Sequence, residues 1–173
     1  FMSHFIRVSE EELHTANQQL TQLAIRDTLT NLLNRREMER LLKEAVALSQ
    51  AQKTPLSVIL MDIDHFKAVN DNYGHDMGDK VLLTVSDAIS RTIRGSDAGC
   101  RWGGDEFFII LQGAPLAVAG RVGERIRRRV EEAKMPFSHN VTISVGAAAF
   151  DPEQDNELQL FKNADEALYQ AKK

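Results

Sequence analysis

The stretch "CRWGGDEFFIIL", residues 100–111, places two glycines and two acids between two apolar segments. Glycine pairs are typical of hairpin turns, because such turns use positive φ angles that glycine adopts freely. The sequence therefore predicts two antiparallel strands joined at Gly103 and Gly104, both at positive φ. A solvated turn does not account for Asp105 and Glu106, because adjacent carboxylates repel each other and acids are rare in strands.

A second acidic stretch changes the interpretation of the first. The segment "TPLSVILMDID", residues 54–64, is an apolar strand that ends at Asp62 and Asp64. Strand ends beside a hairpin turn can converge, so we expect these two acids and the two of the turn to face one space. Carboxylates at that density suit Mg²⁺ or Mn²⁺ with a bound phosphate. The alternative is a coincidence of loop acids.

The remaining apolar periodicity predicts four further helices and one further strand after the N-terminal segment. Helices are expected over residues 35–50 and 76–93, at the four-spaced apolar positions of 118–130, and around Leu158, Phe161 and Leu168. The segment "VTISVGAAAF", residues 141–150, reads as a buried strand. Four short strands with helices between them indicate an α+β fold, one antiparallel sheet flanked by helices.

Residues 1–26 differ from the rest of the chain. They are polar, and their apolar positions Leu13, Ala16, Leu20 and Leu23 are spaced by three, four and three. That narrow seam predicts a helix, with two interpretations left open. The helix pairs two chains as a coiled coil or linker from a sensor, or it folds back on its own domain.

Composition limits the class of protein. A length of 173 residues fits one domain, and a formal charge of −4 gives no attraction for nucleic acid or acidic membranes. Cys100 is the only cysteine, which excludes an intrachain disulfide and suits a reducing compartment. No apolar segment approaches the roughly 18 residues that span a bilayer.

Four motifs together resemble the GGDEF domain family, the diguanylate cyclases. They are "GGDEF" at 103–107, "DTLTNLLNRR" at 27–36, "DIDHFKAVNDNYGHDMGD" at 62–79 and "ADEALYQAK" at 164–172. The resemblance implies a catalytic domain over 27–173, with a fold similar to nucleotidyl-cyclase and polymerase palm domains. It also implies condensation of two GTP into cyclic di-GMP with release of two pyrophosphates. The alternative is a silent relay module that only binds GTP or cyclic di-GMP.

The same resemblance implies roles for individual residues. Asp62, Asp105 and Glu106 would hold Mg²⁺ or Mn²⁺ with the backbone carbonyl of Ile63, and Asp105, Glu106 and Lys67 would be the catalytic groups. Substrate would be bound by Phe66, Asn70, Asp79, Gly103, Gly104 and Lys172. Without the resemblance, Asn70 fits a turn in "NDNYGHD", and Lys67 and Lys172 read as surface lysines.

A product site is the last expectation. "RGSD", Arg94 to Asp97, resembles the family's inhibitory RxxD motif, and Arg125 stands where the family often supplies a second arginine from a neighbouring domain. A helix-ending ion pair and a solvated basic face are the alternatives. We also expect a homodimer, no nucleic-acid or membrane partner for this segment, and a bacterial cytoplasmic location, within a larger sensor protein.

Overall fold

The structure, a computed structural model, describes residues 2–137 and 140–173; the side chains of residues 2–6 and of Leu23 lie outside the described set. Six helices and five strands form within these residues. Their order is α1 (Met2–Ile25), β1 (Leu33–Asn34), α2 (Arg35–Gln52), β2 (Leu56–Ile63), α3 (Phe66–Tyr73), α4 (His75–Ser90), β3 (Ala98–Arg101), β4 (Glu106–Gln112), α5 (Leu116–Glu131), β5 (Ile143–Ala149) and α6 (Glu157–Ala171).

The strands form one sheet in the order β1-β3-β4-β2-β5. The four predicted strands pair antiparallel, and the sheet gains a fifth strand, β1, which pairs parallel to β3 with Leu33 opposite Cys100. The sheet is therefore mixed, and the expectation of a purely antiparallel sheet was incomplete. A strand of two residues is too short to show the alternation that predicts strands.

Strand β4 shows how the sheet divides the core into two layers. Phe107, Ile109 and Leu111 pack with apolar side chains of α4 and α5, while Phe108 and Ile110 pack with those of α2 and α6. Side chains along a strand alternate between faces, so a wholly apolar strand requires helices on both sides. The confirmed α+β architecture follows from this requirement.

Helix α6 packs unusually close to the sheet at Gly146 of β5. A Cβ atom at this position would lie 2.2 Å from the backbone nitrogen of Leu168 and 2.5 Å from the carbonyl oxygen of Ala164. No side chain fits in that space, so glycine permits direct contact of helix and strand backbones. This contact fixes the end of α6 over the acidic end of β2.

Helix α1 presents its apolar seam to solvent. Leu13 and Leu20 are each 64% exposed, and Ala16 is exposed as well. The interpretation that the helix folds back on its own domain was therefore wrong for these residues, while the side chain of Leu23 lies outside the described set. Coiled-coil pairing stays a prediction. Among the described residues, no helix combines the length and the apolar character needed to cross a bilayer.

Candidate active site

The predicted turn joins β3 to β4 through residues 102–105. The backbone nitrogens of Trp102 and Gly103 both donate to the carbonyl oxygen of Glu106, at 2.8 and 3.2 Å. The expectation of positive φ at Gly103 and Gly104 was wrong, because the positive-φ glycines of the described chain are Gly74 and Gly113. Four residues connect the strands, so the turn closes without the geometry that a two-residue hairpin demands.

The two glycines differ in their surroundings. A Cβ atom at Gly103 would lie 3.0 Å from Oε2 of Glu106, whereas one at Gly104 would meet no atom within 4 Å. Gly103 is thus constrained by the neighbouring acid, and Gly104 borders open space. The predicted substrate contact of the glycines is compatible with this arrangement at Gly104, where open space borders the backbone.

The turn lies directly beside the acidic end of β2. Asp62 is opposite Glu106 in the antiparallel register, and the backbone nitrogen of Ile63 donates to the carbonyl oxygen of Asp105 at 3.1 Å. Like charges directly opposite one another destabilise a sheet. The fold therefore holds three carboxylates together against their mutual repulsion.

The electrostatics of these carboxylates follow from that crowding. Burial, and then the negative charge of Asp62 and hydrogen bonding with it, raise the pKa of Asp105. The pKa of Glu106 is also raised, first by burial and then by the charges of Asp62 and Asp105. Lys172, after the end of α6, forms an ion pair with Oδ2 of Asp62. Burial opposes the charge on Lys172, but the hydrogen bond and charge of Asp62 outweigh it and raise the lysine pKa.

The residues present fit a divalent cation. Oδ1 of Asp62 is buried without a hydrogen-bond partner, an arrangement that costs free energy unless a cation or donor satisfies the oxygen. Within the described ranges no three His, Cys, Asp or Glu side chains stand in the geometry of a preformed metal site. Because Lys172 occupies the other oxygen of Asp62, that lysine acts as the counter-charge of the cluster.

A cleft of about 570 Å³ opens beside this cluster. It brings together most of the predicted metal-binding and catalytic groups, together with residues that the sequence did not single out as site residues. Its lining comprises Asp62, Ile63, Asp64, His65, Phe66, Lys67, Asp105, Thr142, Ser144, Ala171 and Lys172.

Asp64 has a different setting from the other acids. Its two carboxylate oxygens accept hydrogen bonds from the hydroxyls of Thr142 and Ser144, each at 2.7 Å. Asp64 lines the cleft together with Asp62 and Asp105, but its oxygens are already hydrogen-bonded to Thr142 and Ser144. In "TIS", residues 142–144, the two hydroxyl residues alternate with an apolar one. That alternation places both hydroxyls on one face of the strand, and the sequence interpretation missed it.

The predicted substrate-binding residues Asn70 and Asp79 lie on α3 and α4, outside the lining of the cleft. Asn70 belongs to α3, so the turn expected from "NDNYGHD" was wrong at this residue; the chain turns at Gly74, with φ of 85°. A Cβ at Gly78 would lie 1.9 Å from Oδ1 of Asn70 and 3.3 Å from Cζ of Phe66. Gly78, next to the exposed Asp79, therefore lets these two side chains pack against α4. A glycine inside a helical pattern was the available signal.

A separate cavity of about 200 Å³ contains all three predicted product-site residues. Asp97 accepts a hydrogen bond from the backbone nitrogen of Arg94 at 2.8 Å, so this carboxylate caps the backbone and forms no ion pair with the Arg94 side chain within the described chain. Arg125 lines the same cavity from α5, and the expectation of a second arginine from a neighbouring domain stays a prediction. Sequence reasoning missed Arg121 and Gln112, which also line it.

The fold and the acidic cleft define a nucleotidyl-cyclase type of domain. Its sheet is flanked by helices, and at one edge of the sheet a cluster of carboxylates that suits a cation lies beside lysines. The family profile described as "Diguanylate cyclase, GGDEF domain" matches residues 24–173. The chain belongs to the GGDEF family of diguanylate cyclases.

Individual relatives agree with this assignment. The chain is 42% identical over 156 residues to the response regulator PleD of Caulobacter vibrioides and 44% identical over 151 residues to the diguanylate cyclase DosC of Escherichia coli. These matches cover 87% and 85% of the chain but only 34% and 33% of the relatives, so the chain spans about a third of their length.

Among solved structures, the chain resembles the coiled coil and GGDEF domain of DgcB from Caulobacter crescentus in complex with c-di-GMP. The TM-score is 0.89 at 30% identity, over 96% of this chain and 90% of that one.

Proposed function

We propose that the domain condenses two GTP molecules into cyclic di-GMP and releases two pyrophosphates. One observation carries the proposal: Asp62 and Asp105 meet at the open cleft, and Oδ1 of Asp62 is buried without a partner. Among members of a cyclase family, that arrangement is suited to catalysis and has no evident structural purpose, because it places like charges together.

The proposed chemistry divides between a cation and the chain's own groups. Mg²⁺ or Mn²⁺ held by Asp62, Asp105, Glu106 and the Ile63 carbonyl would supply neutralisation of phosphate charge and acidification of the attacking hydroxyl. Asp105 accepts the proton of the ribose 3′-hydroxyl. The 3′-oxygen then attacks the α-phosphorus of the facing GTP, and pyrophosphate leaves. Lys67 and Lys172, which line the cleft, bind the triphosphate.

Recognition of the base is assigned to the helices beside the cleft. Asn70 and Asp79 read the guanine edge, since an amide and a carboxylate can pair with its acceptor and donor groups. Gly78 supports this assignment, because its lack of a side chain leaves room for the Asn70 amide against α4. Gly104 leaves space for the nucleoside beside the turn.

Cyclisation requires two nucleotides that face each other, and each chain offers one cleft. We therefore assign the active form to a two-fold symmetric homodimer in which residues 1–26 pair as a coiled coil and residues 27–173 form the catalytic domain. The exposed Leu13 and Leu20 support this pairing, as does the likeness to a relative solved with its coiled coil.

Product control is assigned to the cavity of Arg94, Asp97 and Arg125. Guanidinium groups pair well with phosphates and guanine edges, and the related DgcB domain was solved in complex with c-di-GMP. Because the substrate is GTP and the relatives are longer, we place the domain in the bacterial cytoplasm as part of a larger sensor protein.

The test is turnover by the purified chain with GTP and Mg²⁺, followed by chromatography and mass spectrometry of the nucleotides. Cyclic di-GMP and pyrophosphate in a 1:2 ratio, lost when EDTA removes the metal, are the expected result. Binding of GTP with no product at micromolar enzyme would contradict the proposal and favour the silent relay module.

A further inference from the structure

Arg101, the last residue of β3, contacts the catalytic turn and the N-terminal junction at once. Its Nε and Nη2 atoms donate to the carbonyl oxygen of Gly104 at 3.2 and 2.8 Å. Its Nη1 atom lies 3.4 Å from Oδ2 of Asp27. The two side chains are only 20% and 22% exposed, so solvent weakens their attraction less than it would at an open surface.

Asp27 is itself held in place. Its Oδ1 accepts hydrogen bonds from the backbone nitrogen and the hydroxyl of Thr30, both at 2.8 Å. Burial acts to raise the pKa of Asp27, but these bonds and the charge of Arg101 outweigh it and lower the pKa. The carboxylate is therefore ionised and oriented toward Arg101 at neutral pH.

The junction around Asp27 also fixes the end of α1. Asn34 of β1 donates from Nδ2 to the carbonyl oxygen of Ala24 at 2.9 Å, and Asn34 is opposite Arg101 in the parallel register of β1 and β3. Two routes thus join the last turn of α1 to Arg101: one through Asp27 and one through β1.

The contact at Gly104 matters because the hydrogen bonds from Trp102 and Gly103 to Glu106 close the turn without holding the carbonyl of Gly104. A Gly-Gly sequence has more backbone freedom than any other pair of residues, and a Cβ at Gly104 would meet no neighbour. Arg101 holds the carbonyl of Gly104, and Ile63 holds the carbonyl of Asp105. These two contacts flank the residue whose carboxylate must meet Asp62.

We propose that Arg101 is a positioning residue that fixes the Gly104 carbonyl so that Asp105 faces Asp62, and that Asp27 holds Arg101 in the required orientation. The end of α1 is thereby coupled to the catalytic turn within one chain. Arg101 touches no substrate group in this scheme. Only its effect on catalysis rests on the proposed function, whereas its effect on the position of the turn does not.

Hydrogen–deuterium exchange of the turn, residues 101–106, tests the positioning without reference to activity. Arg101→Met should raise exchange there by about tenfold or more, Asp27→Asn should raise it less, and the cavity segment 94–97 should not change. Arg91→Met is the matched control, because that exposed arginine pairs with Asp87 on α4 and lies outside the junction.

Steady-state kinetics on the same proteins test the consequence. Arg101→Met should lower kcat by roughly 10- to 100-fold with less than about a threefold change in KM for GTP, and Arg101→Lys should restore part of the loss. The double variant Asp27→Asn/Arg101→Met should be no worse than Arg101→Met, since both changes break one chain of contacts.

The outcomes separate the two ideas. Unchanged turn exchange in Arg101→Met, unchanged kcat, or additive losses in the double variant would overturn the positioning role. A wild-type chain that makes no cyclic di-GMP would overturn the proposed function instead, while the exchange measurement would still decide whether Arg101 holds the turn.

Discussion

The two ends of strand β4 differ in charge and in chemistry. At one end Glu106 lies among carboxylates, one of which is ion-paired with Lys172, and at the other Gln112 borders a cavity with three arginines. They are the two ends of a seven-residue strand, about 20 Å apart, and every residue from 107 to 111 is buried. Polar chemistry can stand only at the ends of such a strand, because both of its faces are covered by helices.

That separation indicates how control and chemistry are related. A strand packed on both faces does not deform gradually, because a close-packed core is not continuously deformable. Product bound at the arginine end would therefore act by changing how two domains meet, leaving the carboxylates of its own chain where they are. The four predictions below test this division, from the largest expected effect to the smallest.

The largest effect is expected at the acidic end. Asp62→Ala should lower cyclic di-GMP synthesis by at least ~100-fold, because it removes the buried unpartnered oxygen that a cation would satisfy. Binding of cyclic di-GMP at the arginine cavity, measured by calorimetry, should be unchanged. Near wild-type synthesis at saturating Mg²⁺ would show that Asp62 is not a metal ligand.

A smaller effect is expected at the basic end. Arg94→Ala should raise the cyclic di-GMP concentration needed for half inhibition by roughly 10- to 100-fold, because a charge-assisted contact is lost. The uninhibited rate should change little. Initial rates measured against added product check this, with Arg91→Ala as an arginine control outside the cavity. Equal inhibition of Arg94→Ala and wild type would show that Arg94 does not bind the inhibitory product.

The sequence predicted the acidic end better than the basic end, for a physical reason. Asp62 and Asp105 stand beside apolar strands, so their place in the fold followed from local alternation. Arg125 is on an amphipathic helix, and the apolar pattern does not fix how that helix is rotated about its axis, so the sequence did not place Arg125 beside Arg94 within one chain. The ion pair of Lys172 with Asp62 spans 110 residues, and only the family resemblance pointed toward that lysine.

Backbone details were the least predictable features. Gly103 and Gly104 suggested a tight hairpin with positive φ, but the turn uses four residues and its φ angles are ordinary. Strand β1 has two residues, and its pairing with β3 depends on the junction that Asp27 organises. Such features are set by contacts distant in sequence, which periodicity does not record.

The third prediction concerns the exposed seam of α1 and separates dimer formation from product binding. Leu13→Gln/Leu20→Gln should lower specific activity by roughly 3- to 10-fold at nanomolar enzyme, with recovery at higher concentration, because each leucine loses its burial in the dimer. Product binding at the arginine cavity should persist. A dilution series with analytical ultracentrifugation checks this, and activity independent of concentration would contradict a dimer requirement.

The smallest effect concerns stability and pH at the acidic end. Burial and the charge of Asp62 raise the pKa of Asp105, so its protonated form favours folding and its ionised form opposes it. The stability contributed by protonation is present below the ordinary carboxyl pKa and is lost as pH rises through the raised value. Asp105→Asn, which cannot ionise, should melt about 1–2 °C above wild type at pH 8 in EDTA, and the difference should shrink as pH falls toward about 4. Glu166→Gln, an exposed change on α6, should show no such trend. If Asp105→Asn were less stable than wild type at pH 8, Asp105 would stabilise the turn and would not be crowded by Asp62.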